Sequence, residues 1–492
     1  METNGRHLIA SQRPQEIAAM YFFQRTRTLS QELRRFFGVE PSTLPVVSHQ
    51  FSPMDLPNVQ IAIETYATAH AARMEVVGYT GTMAAFQESL ADLAAQKGAL
   101  MSLFMTARVG PVRYRMADID IDQQKACVER AVFLIEAGGR KLAAHLRRDS
   151  TFKQGNLELE VMCADDHFAA AFLGEIRSHA HTFNVYRGKV LSLGCDGETI
   201  HFHRFPPVKR EEIVLPEATM NILERNTTGF LKYADALRRS GRSVKRGILL
   251  HGKPGTGKTF TAKWLGQTLE GTTVILMSGE ELWLIKQCCQ LARMLAPALV
   301  IMEDVDLVAS QRDESRHPAY QITLHQMLNE MDGLSSDAEV IFLLTTNRPN
   351  AIEGAIAARP GRIDQAIEFP LPDAECRRRL LALYGRGLTL ALNDEAGLIA
   401  RTEGASPAFI QELIRKAALI AAEEDSMEGE LLRVTDNHFD EALRELLFGG
   451  GDLTRTLLGF EPGSSQPKEP TAQSASANRP GRKSRSAPGA QS

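Results

Sequence analysis

The chain has 492 residues, 43% apolar and 24% charged, and carries a formal net charge of −4. That length suits two or three domains with a sizeable core, and so small a charge argues against a surface built for nucleic acid. Six cysteines at 127, 163, 195, 288, 289 and 376 have neither metal-ligand nor disulfide-framework spacing and read as reduced thiols. No apolar run reaches the roughly 18 residues of a membrane span, and Met1–Leu29 has no leader-like stretch, so the expected location is cytoplasmic.

Residues 1–106 read as a mostly helical region. Phe86, Leu90 and Leu93 share a helical face, and Leu100–Met105 is strongly apolar. Residues 107–210 read as a small α/β domain. In it Leu157, Leu159, Val161 and Cys163 alternate with Glu158 and Glu160, as in a half-buried strand. Phe168, Phe172 and Ile176 mark a helix, and Val185–Leu193 and Thr199–Phe205 flank the turn residues Asp196-Gly197, as in a hairpin. His201 and His203 share one strand face, and His179 and His181 lie near a helix end. A metal would need further converging ligands, so both pairs read as solvated or hydrogen-bonded histidines.

The most informative stretch follows. Gly252-Lys253-Pro254-Gly255-Thr256-Gly257-Lys258-Thr259 has the spacing of a phosphate-binding P-loop, with an apolar strand before it and a helical pattern after it. The glycines let backbone N–H groups close on a phosphate chain, and the helix N-terminus adds partial positive charge. Lys258 supplies a point charge for the outer phosphates, and Thr259 a hydroxyl for magnesium. Downstream, the buried-strand run Ala298–Met302 ends in Glu303-Asp304, and Val340–Leu344 ends in Thr345-Thr346-Asn347. Carboxylates at such a strand end suit the magnesium shell and a polarised water, and an Asn on the neighbouring strand suits orientation of that water. Arg359 and Arg362 then bracket a tight turn, Arg359-Pro360-Gly361-Arg362.

Over roughly residues 210–448 this ordered set resembles the AAA ATPases, the AAA+ branch of P-loop NTPases. Leu215-Pro216-Glu217 resembles the segment leading into the P-loop, Met331-Asp332-Gly333-Leu334 the inter-subunit signalling stretch, and Thr345–Pro349 the first sensor. The resemblance implies ATP and Mg²⁺ as ligands and a homo-oligomeric ring, most often a hexamer. In such a ring Arg359 and Arg362 reach the nucleotide of a neighbouring subunit, and the resemblance gives the domain over 107–210 the recognition of a substrate or adaptor. It assigns the magnesium side to Thr259 and Glu303, and catalysis to Asp304, Asn347, Arg359 and Arg362.

Three departures stand out. Glu303-Asp304 inverts the usual Asp-Glu order, as in the mitochondrial AAA translocase of the folded Rieske protein, and Asp is shorter than Glu by about 1.5 Å. The segment after Met277-Ser278-Gly279 is short, leaving Trp283 either a pore residue that grips a chain or a core or interface residue. Pro407 and Phe409 stand where Gly and Asp are usual, with Ser406 as a helix cap.

The fold expected is therefore α/β: an AAA α/β domain over 211–372, a parallel sheet flanked by helices, then a helical lid over 373–448. The lid carries apolar spacing in Arg377–Leu383, Ala408–Glu424 and Asp436–Leu447. Residues 449–492 read as a disordered basic tail. The expected function is ATP hydrolysis that remodels or disassembles a protein partner, an unknown client or adaptor. The alternatives are an ATP-gated scaffold with little turnover and a nucleic-acid-directed ATPase acting through the tail.

Overall fold

The computed structural model describes residues 27–80, 89–95, 106–148, 156–307, 323–333, 335, 338–350, 362–424 and 431–449. Phe86, the run Leu100–Met105, Arg359 and nearly all of the expected tail lie outside them. The chain falls into two units, one up to Pro370 and one from Leu371.

In the first unit, strands β1 (Val46–Phe51), β2 (Arg73–Thr80), β3 (Arg108–Gly110), β4 (Arg113–Asp120), β5 (Gln123–Ala137), β6 (Arg140–Arg148) and β7 (Leu157–Cys163) form one sheet. Its order is β1-β7-β6-β5-β2-β3, and β4 pairs with the first half of β5. This corrects the expected boundary at 106/107. β2 pairs with β5 and β1 with β7, so both sides of that boundary share one sheet. Helices Leu56–Ala69 and Asp166–Thr182 cover one face through Ile63, Tyr66, Phe172 and Ile176. Leu29, Leu33, Leu90 and Leu93 cover the other.

The half-buried reading of β7 is corrected for the same reason. Both of its faces are covered, and Glu160 is only 4% exposed. Its carboxylate accepts the Leu90 N–H at 2.6 Å and faces His145 at 3.3 Å. Burial, the largest single effect, pushes its pKa up, but the His145 and Leu90 hydrogen bonds with the charges of His145 and Arg147 together hold it below its ordinary carboxylate range.

The second sheet holds β8 (Val190–Leu193), β9 (Ile200–His203), β10 (Lys245–His251), β11 (Thr273–Ser278), β12 (Ala298–Glu303), β13 (Val340–Thr346) and β14 (Gln365–Glu368). The order is β14-β10-β13-β12-β11-β8-β9, parallel throughout except for β9. β12 and β13 are almost continuously apolar because helices cover both faces of a parallel sheet. The expected hairpin around Asp196-Gly197 forms, but its first strand pairs with β11, so the hairpin belongs to this sheet and the boundary at 210/211 is crossed.

The two sheets are tied together. Met54 sits in the core of the second sheet, and Tyr186 donates its hydroxyl to the Met54 carbonyl at 3.2 Å. Arg187 donates to the carbonyl of His181 at 3.1 Å and to those of Met294 and Ala296 at 3.1 and 2.9 Å.

The unit from Leu371 holds helices Ala374–Tyr384, Glu395–Arg401, Pro407–Glu424 and Asp436–Arg444, with a parallel pair β15 (Thr389–Ala391) and β16 (Arg433–Thr435). The Ser406 hydroxyl accepts the Phe409 N–H at 3.1 Å, and the Phe409 ring is fully buried as a core residue. No helix among the described residues is long and apolar enough to cross a membrane.

Candidate nucleotide site

The site is assembled at the C-terminal ends of β10, β12 and β13, where an open parallel sheet leaves a crevice. β10 ends at His251, and residues 252–257 turn into the helix Lys258–Thr268. Gly252 has φ +146°, and a Cβ there would stand 2.3 Å from the Phe369 carbonyl oxygen, so only glycine lets this loop leave the strand. Gly255 and Gly257 adopt left-handed φ of +74° and +93°. The result is a concave run of N–H groups at the start of an eleven-residue helix.

Lys258 folds back over this loop. Its Nζ donates to the carbonyls of Gly252 and Lys253 at 2.8 and 2.9 Å, and the residue is only 6% exposed. Burial pulls the ammonium down to about 8, with Asp304 and Asp306 opposing that shift. Thr256 is buried, its hydroxyl donating to the Lys253 carbonyl at 2.8 Å. Thr259 is half-buried one residue into the helix.

A pH dependence follows. Phosphates raise the Lys258 pKa by favouring its charged form, whereas the unliganded ammonium loses its proton near pH 8. Nucleotide affinity is therefore level below that point and falls as pH rises through it. It should be about tenfold weaker at pH 9 than at pH 7. Equilibrium titration with a fluorescent ATP analogue reads this, and a flat profile over that interval would contradict it.

Beside the loop, Ser278 of β11 is in register with Glu303 of β12. Burial raises the Glu303 pKa; Lys263 on the P-loop helix pulls it back and Asp304 adds to it. Asp304 follows in a left-handed conformation, φ +51°, uncommon for a non-glycine residue and stored strain of about 1 kcal/mol or more. The surroundings hold it there. Its N–H donates to Thr345 Oγ1 at 3.1 Å, the next N–H to the Thr345 carbonyl at 3.0 Å, and its own carbonyl accepts from Leu307 N–H at 3.0 Å. Asn347 Nδ2 donates to Asp304 Oδ1 at 3.1 Å. The two residues read from separate strand ends thus meet.

Gly279 makes room for this turn. A Cβ there would lie 2.4 Å from the Asp304 carbonyl oxygen. Gly279→Ala should displace Asp304 and lower turnover by about 10²-fold, while circular dichroism still shows a folded chain. Wild-type turnover in that variant would contradict this account of the turn.

Arg362 is placed differently from a free finger. Its Nε lies 2.5 Å from Asp332 Oδ2 and one terminal nitrogen donates to Asn329 Oδ1 at 3.0 Å, with the side chain only 10% exposed. It is held by its own chain, at Asn329 and Asp332. Trp283 ends up exposed, at 48%, in the short 3₁₀ turn Gly279–Leu284 that leads straight into the helix Ile285–Met294. His201 and His203 lie on an exposed strand face, and His203 Nε2 stands 2.7 Å from Ser192 Oγ. No three metal-ligating side chains converge among the described residues.

The sequence reading passed over Asp306, which is buried behind Asn347 and contacts both Thr346 and the Asn347 backbone. A charged residue two places past Glu303-Asp304, directly after an apolar strand, was the available signal.

Comparison with known proteins agrees with this geometry. Residues 248–371 match the family "ATPase family associated with various cellular activities (AAA)". The chain is 34% identical over 232 residues to an ATP-dependent zinc metalloprotease FtsH of Marinobacter nauticus, covering 45% of this chain and 36% of that one. It is 32% identical over 232 residues to a proteasome-activating nucleotidase of Methanothermobacter thermautotrophicus, covering 45% and 56%. It is also 32% identical over 264 residues to a cell division cycle protein 48 homolog of Archaeoglobus fulgidus, covering 49% and 36%. The chain thus spans between about a third and somewhat over half of the length of these relatives. The P-loop, the carboxylate strand end and Asn347 lie on one sheet edge, and residues 248–371, which hold them, match the AAA ATPase family as a domain.

Proposed function

We propose that this chain hydrolyses ATP with Mg²⁺ and couples hydrolysis to the remodelling of a protein partner, within a homo-oligomeric AAA ring of six subunits. The observation that carries this reading is the Asn347–Asp304 contact at 3.1 Å, alongside a buried Lys258 whose electrostatic partners include Asp304.

The residues fit the ligand. Lys258 is a desolvated cation at a cradle of N–H groups, the chemistry of a phosphate site. Thr259 and the desolvated Glu303 are oxygen donors suited to Mg²⁺, which when bound neutralises charge on the phosphates. Lys258 and the loop amides hold the phosphates, Asp304 accepts a hydrogen bond from the attacking water, and Asn347 fixes the carboxylate that does so. Arg359 and Arg362 are assigned to the site of an adjacent subunit. For Arg362 this requires exchange of its contacts to Asp332 and Asn329, which makes assembly and nucleotide response interdependent.

The exposed Trp283 supports contact with a polypeptide client, and the named relatives include a proteasome-activating nucleotidase and a protease. The region before the P-loop is assigned to client or adaptor recognition, and the absence of a spanning helix among the described residues fits a cytoplasmic location. The test is turnover of Mg-ATP by wild type beside Lys258→Ala, with capture of clients on Asp304→Asn loaded with ATP. Turnover no faster than in the Lys258 variant would favour the ATP-gated scaffold, for which the Glu303-Asp304 order is the supporting observation.

A further inference from the structure

We propose that Asp306 is a positioning residue for hydrolysis, fixing Asn347 so that its amide nitrogen faces the Asp304 carboxylate; the inference rests on the hydrolytic reading above. Asp306 is 6% exposed. Its Oδ1 accepts the Thr346 hydroxyl at 2.8 Å and the Asn347 N–H at 3.2 Å. Thr346 is itself fully buried, and its oxygen accepts the Arg348 N–H at 3.0 Å. That commits the hydroxyl proton to Asp306. One carboxylate oxygen therefore pins the main chain of Asn347, while the side chain of the same residue donates to Asp304 at 3.1 Å.

A buried carboxylate is costly unless it is hydrogen-bonded or paired, so a chain that needed only a packed strand end would do as well with an apolar residue there. What a carboxylate adds is direction. It accepts only, and so selects the arrangement in which both donors of the β13 end point at it. Asn347 is then held at two points. Rotation of its amide, which would turn a carbonyl oxygen toward Asp304, loses the contact to that carboxylate. The same β13 end holds the strained Asp304 backbone through Thr345, so one strand terminus sets both members of the catalytic pair.

The bland alternative is a staple that joins two strand ends and contributes stability alone. A staple would change folding, and it would not separate turnover from nucleotide affinity.

The test uses the full chain with Asp306→Ala, Asp306→Asn and Thr346→Val. Mg-ATP affinity, steady-state turnover and hydrogen–deuterium exchange of the peptide spanning 340–350 are read on each. Asp306→Ala should lower kcat by about 10²-fold and leave nucleotide affinity within about threefold. Asp306→Asn keeps an acceptor oxygen and should recover turnover to within about fivefold of wild type. Exchange at Asn347 should accelerate about tenfold or more in the Ala variant alone, since it has lost its acceptor. If Asp306→Ala does not fold, Thr346→Val, with one of the two donors gone, should lower kcat about tenfold at retained affinity.

Turnover of Asp306→Ala near wild type overturns the proposal. So does an equal loss in the Ala and Asn variants, or a parallel fall of turnover and affinity. Should wild type turn over no faster than Lys258→Ala, the hydrolytic reading fails by itself. The exchange readout then decides the placement of Asn347, and unaltered exchange in Asp306→Ala rejects it.

Discussion

Lys258→Ala is expected to weaken Mg-ATP binding by at least about 10²-fold and to bring turnover to background. Each hydrogen bond from a charged donor is worth about 1.5–3 kcal/mol, and a point charge at the end of the loop makes more than one with the outer phosphates. In the unliganded chain the ammonium is partnered by the Gly252 and Lys253 carbonyls, which phosphate oxygens can replace without moving the loop. Glycine conformations and the Thr256–Lys253 hydrogen bond shape the loop alongside that ammonium and remain in the variant, which should fold as wild type does. Calorimetric titration with Mg-ATP checks the affinity and a phosphate-release assay the turnover. Binding retained within about threefold would mean that the loop amides carry the affinity by themselves, against the usual strength of a charge-assisted contact.

How much of this was legible in the sequence depends on how local the chemistry is. The P-loop is eight consecutive residues whose types dictate their own backbone, so Gly252 to Thr259 could be read without a fold. Glu303-Asp304 and Asn347 could be read because each ends an apolar run of strand length. Their meeting required only that β12 and β13 be neighbours, which they are. Asp306 was legible only as a charge just past a strand end, and its role was not. Its role comes from hydrogen bonds to residues 40 and 41 positions away, and nothing in its own flanks shows that it turns inward.

The region before the P-loop failed for a related reason. β1 and β2 are separated by a helix and pair with β7 and β5, far along the chain. A local period shows a helix beside a strand without showing which sheet the strand joins. Val190–Leu193 is the sharpest case. Its pattern gave a hairpin, whereas the partner on its other side is β11, more than 80 residues on, which transfers the hairpin to the nucleotide-binding sheet. Arg362 illustrates the converse. The motif gave its position, and only the fold shows it paired with Asp332.

The inverted Glu303-Asp304 pair gives the second large effect, and it is decided by substituting Asp304 in two ways. Asp304→Asn removes the charge that polarises water while keeping an acceptor for Asn347, and should lower turnover by about 10²–10⁴-fold, the range for loss of a general base. ATP affinity should persist, because Asp304 does not touch the P-loop through any described hydrogen bond. Asp304→Glu puts a glutamate at the second position, where the usual Asp-Glu order has one, and lengthens the side chain by about 1.5 Å. If the site were a damaged version of the usual one, this change would accelerate turnover. The structure argues otherwise. Asp304 is held at φ +51° by Thr345, and its carboxylate already meets Asn347 at 3.1 Å, so the pocket is built to the shorter side chain. A longer one must fold away from Asn347 or push it aside, and a displacement of about 1 Å costs about 10²-fold. The expected order of turnover is therefore wild type above Asp304→Glu, with Asp304→Asn lowest. Single-turnover measurements at saturating Mg-ATP separate the chemical step from product release. A Glu variant faster than wild type would show that the chain tolerates its aspartate instead of depending on it.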